Sequence, residues 1–409
     1  MKILIINAGS SSQKSCLYNL TNNHLPKHSI EPIWKANIDW TVAKHQGILT
    51  VKANGTRKTN VLNYNHLYKG IPQMLNTLIQ GKTRVIKNFS EINIVGHRVV
   101  HGGTDYSKAT LITPDVKAAI TRLIPLAPTH NPSQINGIQA IEEVLGNVPQ
   151  VAVFDTAFHC RIPLKSAAYP IPYEWLEKGI RRYGFHGISH KYCAEKTSEI
   201  LNKSLTSLKL ITCHLGNGCS LAAIKNGISI DTTMGFTPLE GLMMGTRSGS
   251  IDPAILIHLI RKYNFTANQL NTMLNKESGF QGVSGISADL RSIIQAVNEG
   301  NPRAQLAFDM YIHRLQLHLG AMLASLGGLD TLVFTAGVGE NSAIVREKTC
   351  EAFGFIGLKL DPKKNNNFPV DTDIATDDST VRILIIHTEE DWAIAQECWK
   401  IFNERSLPL

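Results

Sequence analysis

The chain lacks the marks of a secreted, membrane or disulfide-stapled protein. Its 409 residues hold seven cysteines with no CxxC pair and no regular spacing, Cys213 and Cys219 being the closest two. Such cysteines read as reduced, mostly packed thiols of a cytoplasmic protein. No run is long enough to span a membrane. The start, Met1-Lys-Ile-Leu-Ile-Ile6, turns polar after four apolar residues, too few for the core of a signal peptide. A basic stripe with interleaved aromatics is also missing. The net charge of +8 comes from dispersed residues, the densest groups being pairs such as Arg181-Arg182 and Lys363-Lys364. Nucleic acid is therefore not an expected partner, whereas a mild positive balance suits an enzyme with anionic substrates.

Several familiar signatures are absent on inspection. Gly81-Lys82-Thr83 looks like the end of a P-loop, but the required first glycine is Asn76, so the segment reads as a surface turn. Neither Gly216-x-Gly218 nor Gly337-x-Gly339 continues into GxGxxG, since Leu221 and Ser342 stand at the third position. His97-Arg-Val-Val-His101 has zinc spacing, yet arginine replaces the general base and the run continues a strand; strand and loop histidines are the better reading.

What is present is one recurring pattern. Short apolar strands end abruptly in Gly-rich or charged loops: Ile3–Ile6 before Asn7-Ala-Gly-Ser-Ser-Ser12, Ile92–Val95 before Gly96-His-Arg98, and Val151–Phe154 before Asp155-Thr156. Leu210–Thr212 runs into His214-Leu-Gly-Asn-Gly218, and Leu332–Thr335 into Gly337-Val-Gly-Glu-Asn341. In open α/β sheets ligands sit beyond the carboxyl ends of strands, where backbone N–H groups can approach an anion. Five such loops point to one phosphate-handling cleft between two domains. Length alone also favours two domains, and 43% hydrophobic with 18% charged residues makes them globular.

The halves echo each other. A strand, Asn7-x-Gly9-x-Ser11 and the strand-like Ser15–Leu20 match Leu208–Thr212, His214-x-Gly216-x-Gly218-x-Ser220 and Leu221–Ile224. An Asn226-Gly227 hairpin turn then leads to Ile228–Ile230. Helices are expected at Asp115–Leu126, Ser133–Leu145, Ile251–Tyr263, Ser287–Asn298, Pro302–Leu326 after an Asn301 cap, and Glu389–Arg405. Residues 19–68 read as polar and irregular. Strands alternating with helices imply an α/β fold. The boundary is expected near Phe154, with the last helix returning to the first domain.

The candidate chemistry is a kit for binding anions. Ser10, Ser11 and Ser12 offer hydroxyls, with Lys14 as a nearby cation. Arg98 follows a strand, and Arg247 lies between glycines in Gly245-Thr-Arg-Ser-Gly249; arginine suits bidentate carboxylate or phosphate contacts. Asp155 and Glu390 follow apolar strands and could hold a metal, directly or through water, as Mg²⁺ prefers. Positioning and charge neutralisation are what phosphoryl transfer needs.

These segments, together with Gly96-His-Arg-Val-Val-His-Gly-Gly103, Phe154-Asp-Thr-Ala-Phe-His159, Tyr183-Gly-Phe-His-Gly-Ile-Ser-His190 and Met234-Gly-Phe-Thr-Pro-Leu-Glu-Gly241, resemble the acetate kinase family across the whole chain. That family belongs with sugar kinases, actin and heat-shock chaperones, whose duplicated ribonuclease-H-like domains carry mixed β-sheets flanked by helices around a central cleft. The resemblance implies domains 1–154, completed by 390–409, and 155–389. It implies that Asn7 and Glu390 hold Mg²⁺, for which Mn²⁺ may substitute. Arg98, Val100, Thr129, Phe185 and Pro238 would surround the carboxylic acid. Asp155, His186, Arg247 and Arg98 would be catalytic. Lys14 and Ser12 would face phosphates, while His214, Leu215, Gly216, Asn217, Gly218, Asp289, Leu290, Arg291, Gly337, Val338, Gly339, Glu340 and Asn341 would line the site for ATP or ADP.

Three positions depart from the family pattern. Thr388-Glu-Glu-Asp391 replaces the usual Asn or Asp before two glutamates, with Glu390 aligned as the ligand and Glu389 the alternative; Ser250 follows Gly249 in place of Asp; and Thr129 stands where leucine is usual. The expected activity is reversible, Mg²⁺-dependent transfer from ATP to acetate, in a cytoplasmic homodimer. Because acetate is already ionised, Asp155 would position Mg²⁺ or orient Arg247 rather than remove a proton. A propionate or butyrate kinase, and a nucleotide-driven chaperone module on the same superfold, are the rival readings.

Overall fold

The computed structural model describes residues 1–9, 12–20, 24–43, 46–63, 70–128, 130–367 and 370–406. Two compact units result: Met1–Ala157 with Glu389–Leu409, and Phe158–Thr388. The first is built on β1 (Lys2–Ala8), β2 (Ser12–Asn19), β3 (Trp34–Ala43), β4 (Gln46–Ala53), β5 (Thr56–Asn63), β6 (Ile94–Val99), β7 (Thr110–Leu111) and β8 (Gln150–Phe154). These form one sheet in the order β5-β4-β3-β2-β1-β6-β8-β7. Strand β1 is antiparallel to β2 and parallel to β6, and β6 is parallel to β8.

The apolar run Ile3–Ile6 is buried on both faces, which is why it does not alternate. Leu4 and Ile6 belong to a core with Met74 and Leu75 of helix Gly70–Ile79 and Ala140 and Ile141 of helix Asn131–Leu145. The opposite face meets the last helix, Glu390–Ser406. A Cβ on Gly96 of β6 would stand 2.6 Å from both Cys398 Sγ and Ile394 Cγ2 of that helix. The glycine of the Gly96-His-Arg98 motif therefore serves helix–sheet packing.

Between residues 34 and 63 the described chain is not irregular as expected. It carries β3, β4 and β5, which extend the sheet as antiparallel hairpins. Trp34 is buried and donates its Nε1–H to Thr77 Oγ1 at 3.1 Å. Strand β5 is an edge carrying exposed Arg57 and Lys58, and such charge keeps an edge from pairing with other chains.

The second unit repeats the plan with β9 (Lys209–Leu215), β10 (Cys219–Lys225), β11 (Ile228–Thr232), β12 (Thr331–Thr335), β13 (Thr372–Asp373) and β14 (Arg382–Ile385), ordered β11-β10-β9-β12-β14-β13. Strand β9 is antiparallel to β10 and parallel to β12, and β12 is parallel to β14. The run β3-β2-β1-β6-β8 and the run β11-β10-β9-β12-β14 thus share order and sense, the arrangement of ribonuclease-H-like domains.

Asn301 caps helix Pro302–Leu326, and Asp252 caps Pro253–Tyr263, two residues later than Ile251. The expected Ser287–Asn298 begins only at Leu290, capped by Asp289. Asp115–Leu126 resolves into a helix Pro114–Arg122 and a 3₁₀ turn Ile124–Leu126. Among the described residues no helix is long and apolar enough to cross a membrane.

Candidate active site

In the first unit, parallel pairing aligns the carboxyl ends of β1, β6 and β8, with Ile6 opposite His97 and Val99 opposite Phe154. Asn7, Arg98 and Asp155 consequently emerge at one edge, where the helix starting at Glu390 also begins. Asp155 is buried and accepts from Arg98 Nε at 3.1 Å and Nη2 at 2.7 Å, a bidentate grip. Arg98 Nη1 lies 3.7 Å from Glu390 Oε2. Burial disfavours the guanidinium charge, but Asp155 and Glu390 outweigh it and raise the Arg98 pKa. Asp391 is pushed up by burial and by Glu390, opposed by Lys14 and by a hydrogen bond from Asn7. Within this unit Asp155 therefore orients Arg98.

Lys14 is exposed on β2, and Ser12 O accepts from Gly9 N at 2.9 Å. Val100 is buried, its N–H donating to Gln134 Oε1 at 3.0 Å. Glu389 accepts from Ser29 Oγ at 3.4 Å. Of the two glutamates, Glu390 is the one beside Arg98. His97, on β6, is bonded to Gln150 and pushed down to about 4 by burial, and His101, in the loop beyond, accepts from Gly103 N at Nδ1. Ser10, Ser11 and Thr129 lie outside the described residues.

In the second unit, His186 precedes helix Gly187–Leu201 with a left-handed backbone, φ 54°, rare outside glycine and asparagine. That turn brings its ring over His214, with centroids 4.2 Å apart and planes 23° apart. His186 Nδ1 is 2.9 Å from Ser220 Oγ, and His214 Nδ1 is 2.8 Å from Ser189 Oγ. Arg247 reaches Pro238 O with Nη1 at 2.7 Å, and burial lowers its pKa. No carboxylate pairs with it among the described residues. The loop bearing it is closed by Gly249 at φ 70°, where a Cβ would also meet the carbonyls of Gly241 and Leu242. Phe185 is buried, its carbonyl receiving His159 Nε2–H at 3.0 Å.

A pocket of about 620 Å³ opens in this unit, lined by Gly216, Asn217, Asp289, Leu290, Arg291, Gly337, Val338 and Asn341. Sequence reading had missed four further lining residues: Phe280, Ala288, Ile294 and Ser342. Ile294 lies one turn beyond Leu290 on the same helix face, a legible signal; for Phe280 there was none. Gly337–Asn341 is not a loop as expected but a short helix, Ala336–Asn341. His214, Leu215, Gly218, Gly339 and Glu340 are not among the lining residues. Leu215 is core, and the Glu340 carboxylate turns to His387 Nδ1 at 2.6 Å and Thr388 N at 3.2 Å. Burial pushes Glu340 up, but those partners hold its pKa below the ordinary value.

The family model described as the acetokinase family matches residues 2–396. An acetate kinase of Rippkaea orientalis is 73% identical over 404 residues, covering 99% of this chain and 100% of that one. Among solved structures, acetate kinase of Porphyromonas gingivalis is similar with a TM-score of 0.89 at 40% identity, covering 98% of this chain and 99% of that chain. A propionate kinase of Francisella tularensis gives a TM-score of 0.89 at 37% identity over the same shares. With nearly its full length matched and a duplicated fold that agrees, the chain belongs to the acetokinase family.

Proposed function

We propose that this protein transfers the γ-phosphoryl group of ATP to acetate, reversibly, giving acetyl phosphate and ADP. The observation that carries the reading is Arg247, a partly buried cation that has a carbonyl but no carboxylate partner among the described residues. Such a group demands an anionic ligand. The neighbouring pocket supplies room for a nucleotide.

Acetate is ionised at pH 7, its carboxyl pKa being about 4 to 5 like that of a glutamate side chain, so no general base is required. A carboxylate oxygen forms the new bond to phosphorus as the bond from phosphorus to the ADP oxygen breaks, and no proton moves. Arg98, held by Asp155, takes the acetate carboxylate through Nη1. Arg247 and His186 stabilise the charge on the moving phosphoryl group. We assign the apolar residues Val100, Phe185 and Pro238 to the acyl group.

Asn7 and Glu390 fit Mg²⁺: they offer oxygen donors at one edge of a sheet, and Mg²⁺ favours one or two such ligands while keeping several waters. When bound, the ion neutralises phosphate charge. A cytoplasmic setting is supported by cysteines that are free and, apart from Cys160, buried. A homodimer is supported by helix Pro253–Tyr263, which exposes Ile255, Ile257, Ile260 and Tyr263 and buries none of its residues.

The test is a hydroxylamine-trapping assay with ATP, Mg²⁺ and a series of short carboxylic acids. Acetate should give acyl hydroxamate, EDTA should abolish it, and Mg²⁺ or Mn²⁺ should restore it. Normal ATP binding without product from any acid would reject the reading.

A further inference from the structure

Thr212 of β9 is fully buried, and among the described residues its hydroxyl has one hydrogen-bond partner, His190 Nδ1, at 2.7 Å. A buried hydroxyl must place its proton somewhere, and the acceptor among the described residues is that nitrogen. His190 is itself fully buried, and burial, with His159 and His214 nearby, drives its pKa well below the ordinary value. It is neutral and carries one N–H. Because Nδ1 accepts from Thr212, the proton sits on Nε2, which lies 2.7 Å from Ser220 Oγ.

Ser220 is buried between two rings, 2.7 Å from His190 Nε2 and 2.9 Å from His186 Nδ1. Its oxygen accepts from His190, so its single proton is donated to His186 Nδ1. The direction of every bond follows from the end of the chain at Thr212.

We infer that Thr212, His190 and Ser220 form a one-way hydrogen-bond relay that fixes His186 as the tautomer protonated on Nε2. A neutral His186 then presents an N–H donor to an anion without an added positive charge. The opposite tautomer would present a lone pair and repel a phosphoryl oxygen. Its consequence for catalysis rests on the role proposed for His186 above. Thr212, His190 and Ser220 are positioning residues, since none touches substrate in this scheme. A second neutral imidazole is also tolerable against the stacked His214, 4.2 Å away, where two cations would repel.

The experiment combines ¹⁵N NMR of histidine-labelled protein with kinetics. In the resting wild-type enzyme, His186, assigned by its loss in His186→Gln, should show a protonated Nε2 and an unprotonated Nδ1. Ser220→Ala should yield a mixture of tautomers and lower kcat roughly 10- to 100-fold, the scale seen when outer partners of ligating histidines are removed. KM for both substrates should stay within about twofold, as expected when an interaction made in the transition state is lost. Thr212→Val should scramble the tautomer while Thr212→Ser, which keeps the hydroxyl, preserves it. A wild-type His186 protonated on Nδ1, or an unchanged kcat in Ser220→Ala, would overturn the relay. So would a Thr212→Val protein that retains the pure Nε2–H form. The spectrum is read without turnover, so an inactive wild type would reject the phosphotransfer reading and leave the relay to be judged by NMR.

Discussion

Arg98 and Arg247 are the same residue in opposite predicaments. Arg98 is neutralised by Asp155 and lies near Glu390, whereas Arg247 has no carboxylate partner among the described residues and a lowered pKa. Removing one partner of a buried ion pair leaves the other uncompensated and costs about 3 to 5 kcal/mol. Arg98→Ala should therefore weaken acetate binding, slow turnover and lower the unfolding midpoint. Arg247→Ala should slow kcat by about 10²- to 10⁴-fold, for loss of a preorganised transition-state charge, with little change in KM. Its stability should hold or rise, since the buried charge it removes was not offset by an ion pair. Lysine should rescue neither activity, lacking the planar fork. Thermal unfolding and steady-state kinetics on both alanine variants separate the two cases; equal destabilisation by both would contradict the distinction.

At the scale of the element, the short helix Ala336–Asn341, which lines the pocket proposed for the nucleotide, is held from outside by Arg346. Arg346, fully buried, donates Nη1 to the carbonyls of Gly339 and Glu340 at 2.8 Å, and Nε and Nη2 to Asn365 at 2.7 and 2.9 Å. Burial lowers its pKa to about 10. Arg346→Ala leaves those acceptors unsatisfied, at about 1 to 3 kcal/mol for each one that water cannot reach, and should raise KM for ATP more than KM for acetate. An unchanged KM for ATP with a lowered unfolding midpoint would confine Arg346 to stability. Nothing in the sequence marked it, because its partners are backbone carbonyls and an asparagine 19 residues away. Elements with local signals were legible: the Asn301-Pro302 cap, the Asn226-Gly227 hairpin and the doubly buried apolar strands β1, β9 and β12. Strands β3 to β5 were not, because their outer faces are polar and their apolar half reads only against helix Gly70–Ile79. Within the site, Asp155 follows its strand as expected, whereas Asn7 and Arg98, expected in loops after Ile6 and Val95, lie inside β1 and β6, because pairing with neighbouring strands carries the ladder past the apolar run. The pairing of Asp155 with Arg98 could not be read from sequence, since it arises from the register between β6 and β8.

At the scale of the whole molecule, both units bury neutral histidines, and this sets the response to acid. His97 and His101 in the first unit and His159 in the second are pushed from 6.5 to about 4 by burial, and His190 lies well below its ordinary value. The folded chain therefore binds fewer protons than the unfolded chain between pH 6.5 and 4. Stability is fully present above pH 6.5 and is lost as pH falls through that window, with a limiting slope of about 1.4 kcal/mol per pH unit for each such histidine. Glu340, held low by His387, acts in the same direction at lower pH, while the raised Asp391 acts against it. Because the affected histidines lie in both units, neither unit should survive as an acid-resistant core. The unfolding midpoint, followed by circular dichroism in urea, should fall steeply from pH 6.5 to 5, before most carboxylates are protonated. His97→Gln, which removes one titrating ring from β6, should make the fall shallower by about one proton. A midpoint that stays level from pH 7 to 4.5 would mean that these rings accept protons in the folded state.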